Sequence, residues 1–129
     1  MKLTTAIVIA LSAFVAAQDF AFSCDHNKFE FRDGHNAKAK CGRTHGGSRT
    51  TTLDLDRCFI NDNGALRRDD RGKYSKSCVK CQMNPNRPSW MWCQCKDKSK
   101  NWKESEINLN DYLANQDGKL CCGNSCGTE

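Results

Sequence analysis

Residues Leu53–Leu66 read LDLDRCFINDNGAL, and residues Ile107–Leu120 read INLNDYLANQDGKL. When the sequence is shifted by 54 residues, four of these fourteen positions are identical and five more are close in chemistry. The shift needs no gap, and it also superposes cysteines that lie outside the two stretches. Self-similarity of this kind indicates a duplicated module. We therefore predict two repeats, at about 20–68 and about 74–122.

Each repeat has the pattern of a hairpin, a strand and a tight turn. In Arg49–Asp56 the leucines fall on one face and the aspartates on the other, which is typical of a half-buried strand. One helical turn that begins at Asp or Asn is expected next. Asn63-Gly64 and Asp117-Gly118 then predict tight turns, because glycine adopts positive φ readily. Asp33-Gly34 and residues 84–88 are expected to turn the preceding hairpins. The fold class is therefore all-β with short helical turns.

The N-terminal segment has the composition of a secretory signal. Met1-Lys2 is positively charged, Ala6–Leu11 is apolar, and Val15–Ala17 has the small residues that a signal peptidase accepts. The apolar run is too short to span a membrane. We expect residues 1–17 to be a signal peptide, residues 18–129 to form a single domain, and the product to be secreted and extracellular.

The ten cysteines all follow the predicted signal and make up about 9% of the remaining residues, as in disulfide-rich scaffolds. An even number in an exported chain indicates five bridges. The alternative is a zinc cluster at Cys78-x-x-Cys81 and Cys93-x-Cys95, which the oxidising compartment disfavours.

The hairpins suggest how six cysteines pair. Cys24–Cys41 and Cys78–Cys95 can each join two strands, and Cys81–Cys93 nests inside the second hairpin with a one-residue offset that a bulge would absorb. Cys58 is expected to pair with one of Cys121 and Cys122, and Cys126 with the other. The sequence does not choose between these two arrangements.

Charge and motifs argue against several classes of function. Lys and Arg total 20 and Asp and Glu total 15, with the two signs interleaved, so the basic stripe of a nucleic-acid binder is absent. The densest patch, Lys96–Lys100, fits a solvated face. His26, His35 and His45 lack the spacing of a helical metal pair, and the cysteines are committed to bridges. We expect no enzyme activity, no metal and no cofactor.

Short polar side chains surround the repeated hairpins and turns. They are Ser23, Thr44, Asn61, Asn63, Ser77, Asn115 and Asp117. Such groups suit sugar hydroxyls, which both donate and accept hydrogen bonds. Each bond contributes only about 1 kcal/mol, so several must converge on one ligand. The alternative is that these residues only cap turns.

The segments Cys41–Leu55 and Ile107–Leu120 resemble the cyanovirin-N homology domain, and the similarity covers about Phe20 to Leu120. The resemblance implies a cyanovirin-N-like lectin with two pseudosymmetric repeats that exchange strands. It also implies binding of mannose-rich glycans, notably terminal α-1,2-linked mannose, at one or two shallow sites without a metal or cofactor.

Two sugar sites follow from that resemblance. The first site maps to Phe20, Ser23, Gly42, Thr44, Asn115, Gln116 and Asp117. The second site maps to Asn61, Asn63, Lys73, Ser77, Lys96, Asp97, Lys98 and Lys100. Five positions depart from the residues of the family, namely Phe22 in place of Gln, Gly42, Ile60 and Lys76 in place of Glu, and Lys98 in place of Arg.

Other interpretations stay open. The departures also fit a disulfide-stapled effector or toxin on the same scaffold, which would bind a protein or membrane target. Trp90 and Trp92 share a strand face, which we expect to lie in the core; the alternative is a platform for sugar stacking. Arg67–Gly72 reads as a polar linker between the repeats. The expected partners are mannose-containing oligosaccharides or glycoproteins, and the expected state is a monomer or a domain-swapped dimer.

Overall fold

A computed structural model describes residues 23–25 and 28–128 of the chain. The predicted signal peptide, Phe20 and Phe22 lie outside these residues. Strands of the first repeat are β1 (Glu30–Arg32), β2 (Asn36–Gly42), β3 (Ser48–Asp54), β4 (Phe59–Asp62) and β5 (Ala65–Arg68). Later strands are β6 (Cys78–Asn84), β7 (Arg87–Lys96), β8 (Trp102–Asn108), β9 (Ala114–Gln116), β10 (Lys119–Cys122) and β11 (Ser125–Cys126). Short 3-10 turns occupy Leu55–Arg57, Tyr74–Lys76 and Leu109–Asp111.

Two antiparallel three-stranded sheets form the body of the fold, and the repeats give them matching topology. The first has the order β1-β2-β3 and the second has the order β6-β7-β8. Each sheet is followed by a 3-10 turn whose cap is the predicted Asp or Asn: Asp54 accepts from the amide of Asp56, and Asn108 from the amide of Asn110. The predicted all-β fold class with short helical turns is confirmed.

The hairpins that follow the sheets are exchanged between the repeats. The β4–β5 hairpin of repeat one packs on β8, where the amide of Leu66 donates to Ser105 Oγ at 2.9 Å. Sheet β9-β10-β11 of repeat two packs on β3, where the amide of Leu120 donates to Thr51 Oγ1 at 3.3 Å. Leu66 and Leu120, like Ser105 and Thr51, are related by the 54-residue shift. Each half of the molecule is therefore built from both repeats.

The core lies between the inner faces of the sheets and the exchanged hairpins. Leu53, Leu55 and their counterparts Ile107 and Leu109 are all buried. Tyr74 is fully buried, and its hydroxyl donates to the carbonyl oxygen of Gly34 at 2.6 Å. Burial raises the pKa of the Tyr74 phenol above its ordinary value. The phenol of Tyr74 therefore stays neutral, and its hydrogen bond to Gly34 connects repeat two to the β1–β2 turn.

Five disulfides cross-link the described residues and leave no free cysteine among them: Cys24–Cys41, Cys58–Cys122, Cys78–Cys95, Cys81–Cys93 and Cys121–Cys126. The pairing thus resolves the choice that the sequence left open for the last four cysteines. The offset of Cys81–Cys93 is absorbed near Lys80, which has φ 56°, where the β6–β7 register shifts.

The tryptophans of β7 contradict one prediction. Met91, Cys93 and Cys95 are buried, so the alternating Trp90 and Trp92 lie on the outer face of the sheet and are only half-buried. The guanidinium of Arg87 lies 3.5 Å from the centre of the Trp90 ring. The expectation that these two indoles belong to the core is wrong, because the disulfides occupy the inner face.

The connection between the repeats is more ordered than the predicted polar linker. Arg67 and Arg68 belong to β5, and the Arg68 guanidinium donates to the Cys58 carbonyl at 2.8 Å. A turn from Asp69 to Gly72 follows, closed by a hydrogen bond from the Gly72 amide to the Asp69 carbonyl. Among residues 23–25 and 28–128, no helix is long and apolar enough to cross a membrane.

Candidate functional site

The first site is organised around the side chain of Asn115. Its amide nitrogen donates to the carbonyl oxygens of Gly42 at 3.0 Å and Ser23 at 3.4 Å, and its oxygen accepts from the amide of Gly118 at 2.8 Å. Asp117 Oδ1 accepts from the backbone amide of Thr44 at 2.9 Å. A turn of repeat two is thereby held against the strand end of repeat one.

The second site repeats this geometry around Asn61. Its amide nitrogen donates to Ser77 Oγ at 2.8 Å and to the carbonyl oxygen of Lys96 at 2.9 Å, and its oxygen accepts from the amide of Gly64 at 2.8 Å. The oxygen of Asn63 accepts from the amide of Lys98 at 2.8 Å. All of these contacts except the one to Ser77 Oγ have a counterpart in the first site under the 54-residue shift.

Most of the predicted site residues are brought together in these two places. In the first site only Phe20 lies outside the described residues, and Gln116 is exposed between Asn115 and Asp117. In the second site Asp97 packs near Gly64, and the amide of Lys100 donates to the Asp97 carbonyl at 3.0 Å. Lys73 lies farther from the turn, at the start of the Tyr74–Lys76 segment that leads to Ser77.

Three basic residues that the sequence analysis missed also border the sites. A Cβ built on Gly118 would lie 2.9 Å from Arg49 Cβ and 3.0 Å from Arg43 Cγ, so both arginines flank the first turn. A Cβ built on Gly64 would lie 2.8 Å from Lys103 Cγ. Arg49 and Lys103 are themselves related by the 54-residue shift, which is the signal that would have found them.

Electrostatics at the first site centre on Asp117. The hydrogen bond from the Thr44 amide lowers the pKa of this exposed carboxyl below its ordinary value, and Arg43, whose Nε lies 3.9 Å from Oδ1, adds to the effect. The carboxylate is therefore charged at physiological pH and fixes the Thr44 backbone beside the turn.

A pH titration is expected to follow from that lowered pKa. Because the folded-state pKa is depressed, the Asp117–Thr44 contact is fully present above the unfolded value of about 3.9 and is lost as the pH falls through the folded pKa. The NMR shift of the Thr44 amide should stay constant from neutral pH to about pH 4 and change only below it. Asp117→Asn should remove the transition, and a midpoint above pH 5 in the unaltered protein would contradict the assignment.

One group in the described part of the chain has the residue types of a metal site. Nδ1 of His35 lies 2.8 Å from Asp54 Oδ1 and 3.7 Å from Asp56 Oδ2. The carboxylates already serve the backbone, since Asp54 caps a 3-10 turn and Asp56 accepts from the amide and hydroxyl of Ser75. These three side chains therefore have a structural role, because Asp56 connects repeat one to Ser75 of repeat two.

A separate cavity of about 460 Å³ lies between β1 and the β6–β7 hairpin. Phe29, Phe31, Met83, Pro85 and Pro88 give it a largely apolar lining. None of its described lining residues belongs to the first or the second site. The matched polar niches and this cavity are therefore different features of the surface.

Comparison with known proteins places the chain among similar folds. The CVNH domain family matches residues 20–121. The structure of GzCVNH from Gibberella zeae is 24% identical, with a TM-score of 0.70 over 81% of this chain and 97% of that one. Microvirin in complex with mannobiose is 25% identical, with a TM-score of 0.67 over 81% and 98%. A MoCVNH3 variant in complex with (N-GlcNAc)4 is 18% identical, with a TM-score of 0.70 over 80% and 95%.

Proposed function

The chain belongs to the CVNH domain family, and on that premise we propose that it is a secreted, non-enzymatic lectin that binds mannose-terminated glycans. The observation that carries the proposal is the pair of matched niches at Asn115 and Asn61. In each, an Asx-Gly turn from one repeat meets a strand end of the other, and backbone and side-chain polar groups face solvent together. The mechanism is convergent hydrogen bonding to sugar hydroxyls, with no reaction.

The niches support binding because they are formed before the ligand arrives. Asn61 and Asn115 are half-buried and have their amide groups fully engaged, so the turns lose little freedom when a sugar binds. Neighbouring groups at the rim, such as Gln116 and Ser99, are exposed and free to meet hydroxyls. Two niches on one molecule would also raise the avidity for a branched glycan.

The choice of mannose rests on the resemblance of the sequence and on one neighbour. Microvirin was solved with mannobiose, whereas the MoCVNH3 variant was solved with an N-acetylglucosamine oligomer. We place this chain with the mannose binders, with terminal α-1,2-linked mannose as the ligand and a monomer as the binding unit. Secretion is part of the same proposal, supported by the composition of residues 1–17 and by five disulfides.

Substitution of the two central asparagines is expected to separate the sites. Asn115→Ala removes the donor to Gly42 and the acceptor for Gly118, so α-1,2-mannobiose should bind the first site at least about tenfold more weakly while the second site is unchanged. Asn61→Ala should do the reverse, and the double variant should bind at neither. Isothermal titration gives the stoichiometry, and NMR shifts of the Thr44 and Lys98 amides assign each site.

The control for this experiment is Asn86→Ala, at the exposed tip of the β6–β7 hairpin. It should leave both binding events intact, and circular dichroism should show every variant folded. Tetra-N-acetylglucosamine serves as the competing ligand. A folded protein that binds that oligomer but no mannoside would overturn the mannose assignment, and one that binds no glycan would favour the effector interpretation.

A further inference from the structure

The two sites share one geometry but differ in charge. Around the second site the end of β7, the following turn and the start of β8 carry four exposed lysines, namely Lys96, Lys98, Lys100 and Lys103. Their counterparts in the first site are Gly42, Thr44, Gly46 and Arg49, and the first site also has Arg43 where the second site has Asp97, so the second site keeps an excess of positive charge. Since the fold is the same at both sites, the excess of positive charge is a property of the sequence at the second site alone.

Contacts with the Asn61–Gly64 turn fix the positions of three of these lysines. The Lys96 carbonyl is held by Asn61 at 2.9 Å, and the Lys98 amide is held by Asn63 at 2.8 Å. Lys103 packs against Gly64 on the other side of the same turn. The backbones of Lys96 and Lys98 and the side chain of Lys103 therefore lie beside the Asn61–Gly64 turn, and the Lys96 ammonium group lies 5.0 Å from the centre of the Trp102 ring.

Acidic groups near the second site leave most of this charge uncompensated. Asp97 Oδ2 lies 4.0 Å from Lys103 Nζ, and Asp97 Oδ1 accepts from the amides of Ser99 and Asn101. Asp62 is paired with Arg67 at 3.0 Å. Within the described residues, no carboxylate lies in ion-pair distance of Lys96, Lys98 or Lys100.

Two more lysines lie on the segment that leads to Ser77 of the second site. Lys73 immediately precedes the 3-10 turn Tyr74–Lys76 and Lys76 is its last residue, and both lysines are exposed. The 54-residue shift pairs them with Asp19 and Phe22, so here too the sequence adds positive charge only to the second site. Clustered charges of one sign raise the local potential and attract a ligand of the opposite sign.

We infer that the second site takes a saccharide that carries a phosphate or sulfate ester, whereas the first site takes a neutral one. The inference rests on the proposed lectin function, because the sugar hydroxyls would still be bound at the Asn61 turn. Lysine suits this task, since its ammonium group acts as a point charge toward tetrahedral oxyanions and does not require the planar geometry of arginine.

The test is a titration of the folded chain with α-1,2-mannobiose, its 6-phosphate and its 6-sulfate, followed by NMR at the Lys98 and Thr44 amides. At low salt the phosphorylated and sulfated sugars should bind the second site about tenfold more tightly than the neutral one, and salt should shrink this difference because exposed charges are screened. At the first site the three sugars should differ by less than about twofold.

Matched variants locate the effect. Lys98→Gln combined with Lys100→Gln should weaken binding of the charged sugars more than binding of the neutral sugar, so that most of the preference is lost. Lys38→Gln combined with Lys40→Gln, on β2 of the other sheet, should leave it unchanged. A preference of the phosphorylated over the sulfated sugar, or the reverse, identifies which ester the site favours.

Three results would overturn the inference. Equal affinity of the second site for neutral and charged sugars would remove the charge selection and leave the lectin function standing. Inorganic phosphate that binds the Lys98 region as tightly as the sugar phosphate would show a plain anion site. Failure of every sugar to bind at either site would instead refute the proposed function itself.

Discussion

Removal of the Cys58–Cys122 disulfide by the double substitution Cys58→Ala and Cys122→Ala is expected to lower the free energy of unfolding by about 4 kcal/mol. The bridge spans 64 residues and joins Cys58, the residue before β4, to the end of β10, so its loss frees a long loop in the unfolded chain. Cys58 and Cys122 are both fully buried, so the alanines that replace them make no new stabilising contacts in the folded state.

Urea denaturation of the oxidised protein measures this effect. The matched control is Cys121→Ala with Cys126→Ala, which removes a bridge of only 5 residues and should cost about 2 kcal/mol. The two variants share the same neighbourhood at β10, so a difference between them reports the length of the loop. Equal losses would contradict the loop-length argument and would point to local packing at the sulfur atoms.

The centre of each site could be found from the sequence because duplication marks it. Asn61 and Asn115 stand at the same register position, two residues before the turns Asn63-Gly64 and Asp117-Gly118. Both turns have positive φ at both residues, as their sequences predict. A residue that recurs in both repeats beside a turn with positive φ is required at the same place in each repeat, and this recurrence can be read from the sequence alone.

Contacts made across the exchange could not be found from one repeat alone. Lys103 packs on Gly64, and Arg49 packs on Gly118, although each pair is far apart in sequence and lies in different repeats. A basic residue at the start of a strand looks like ordinary surface. It becomes part of a site only when the hairpin of the other repeat is laid beside it.

The error at Trp90 and Trp92 has a different cause. Alternation shows that two residues share a face but does not show which face is inside. The cysteines decide it, because Cys93 and Cys95 alternate with the indoles and their bridges lie on the buried side. The register of the disulfides was therefore a better guide to the core than the size of the aromatic side chains.

Gly72→Ala is expected to destabilise the protein by about 4 kcal/mol or to prevent folding, because two costs add at one position. Gly72 has φ +58°, a conformation that alanine adopts with strain. An added Cβ would overlap the carbonyl oxygen of Asp56 and lie 2.8 Å from its carbonyl carbon. That carbonyl accepts from the Lys73 amide at 2.7 Å, so it cannot move away without loss of a hydrogen bond.

Gly47→Ala separates strain from overlap, since Gly47 has φ +79° but would place its Cβ at least 4 Å from any neighbour. This control should lose about 1 kcal/mol. The side chain of Asp56 accepts a hydrogen bond from the Ser75 amide. A shift of Asp56 caused by the added methyl group at Gly72 should therefore displace Ser75 and the nearby Ser77. We expect mannobiose binding to weaken more at the second site than at the first. Thermal unfolding measures the stability of both variants, and titration at the Lys98 amide measures binding at the second site. Equal stability of the two glycine variants would show that the Asp56 carbonyl yields to the added methyl group.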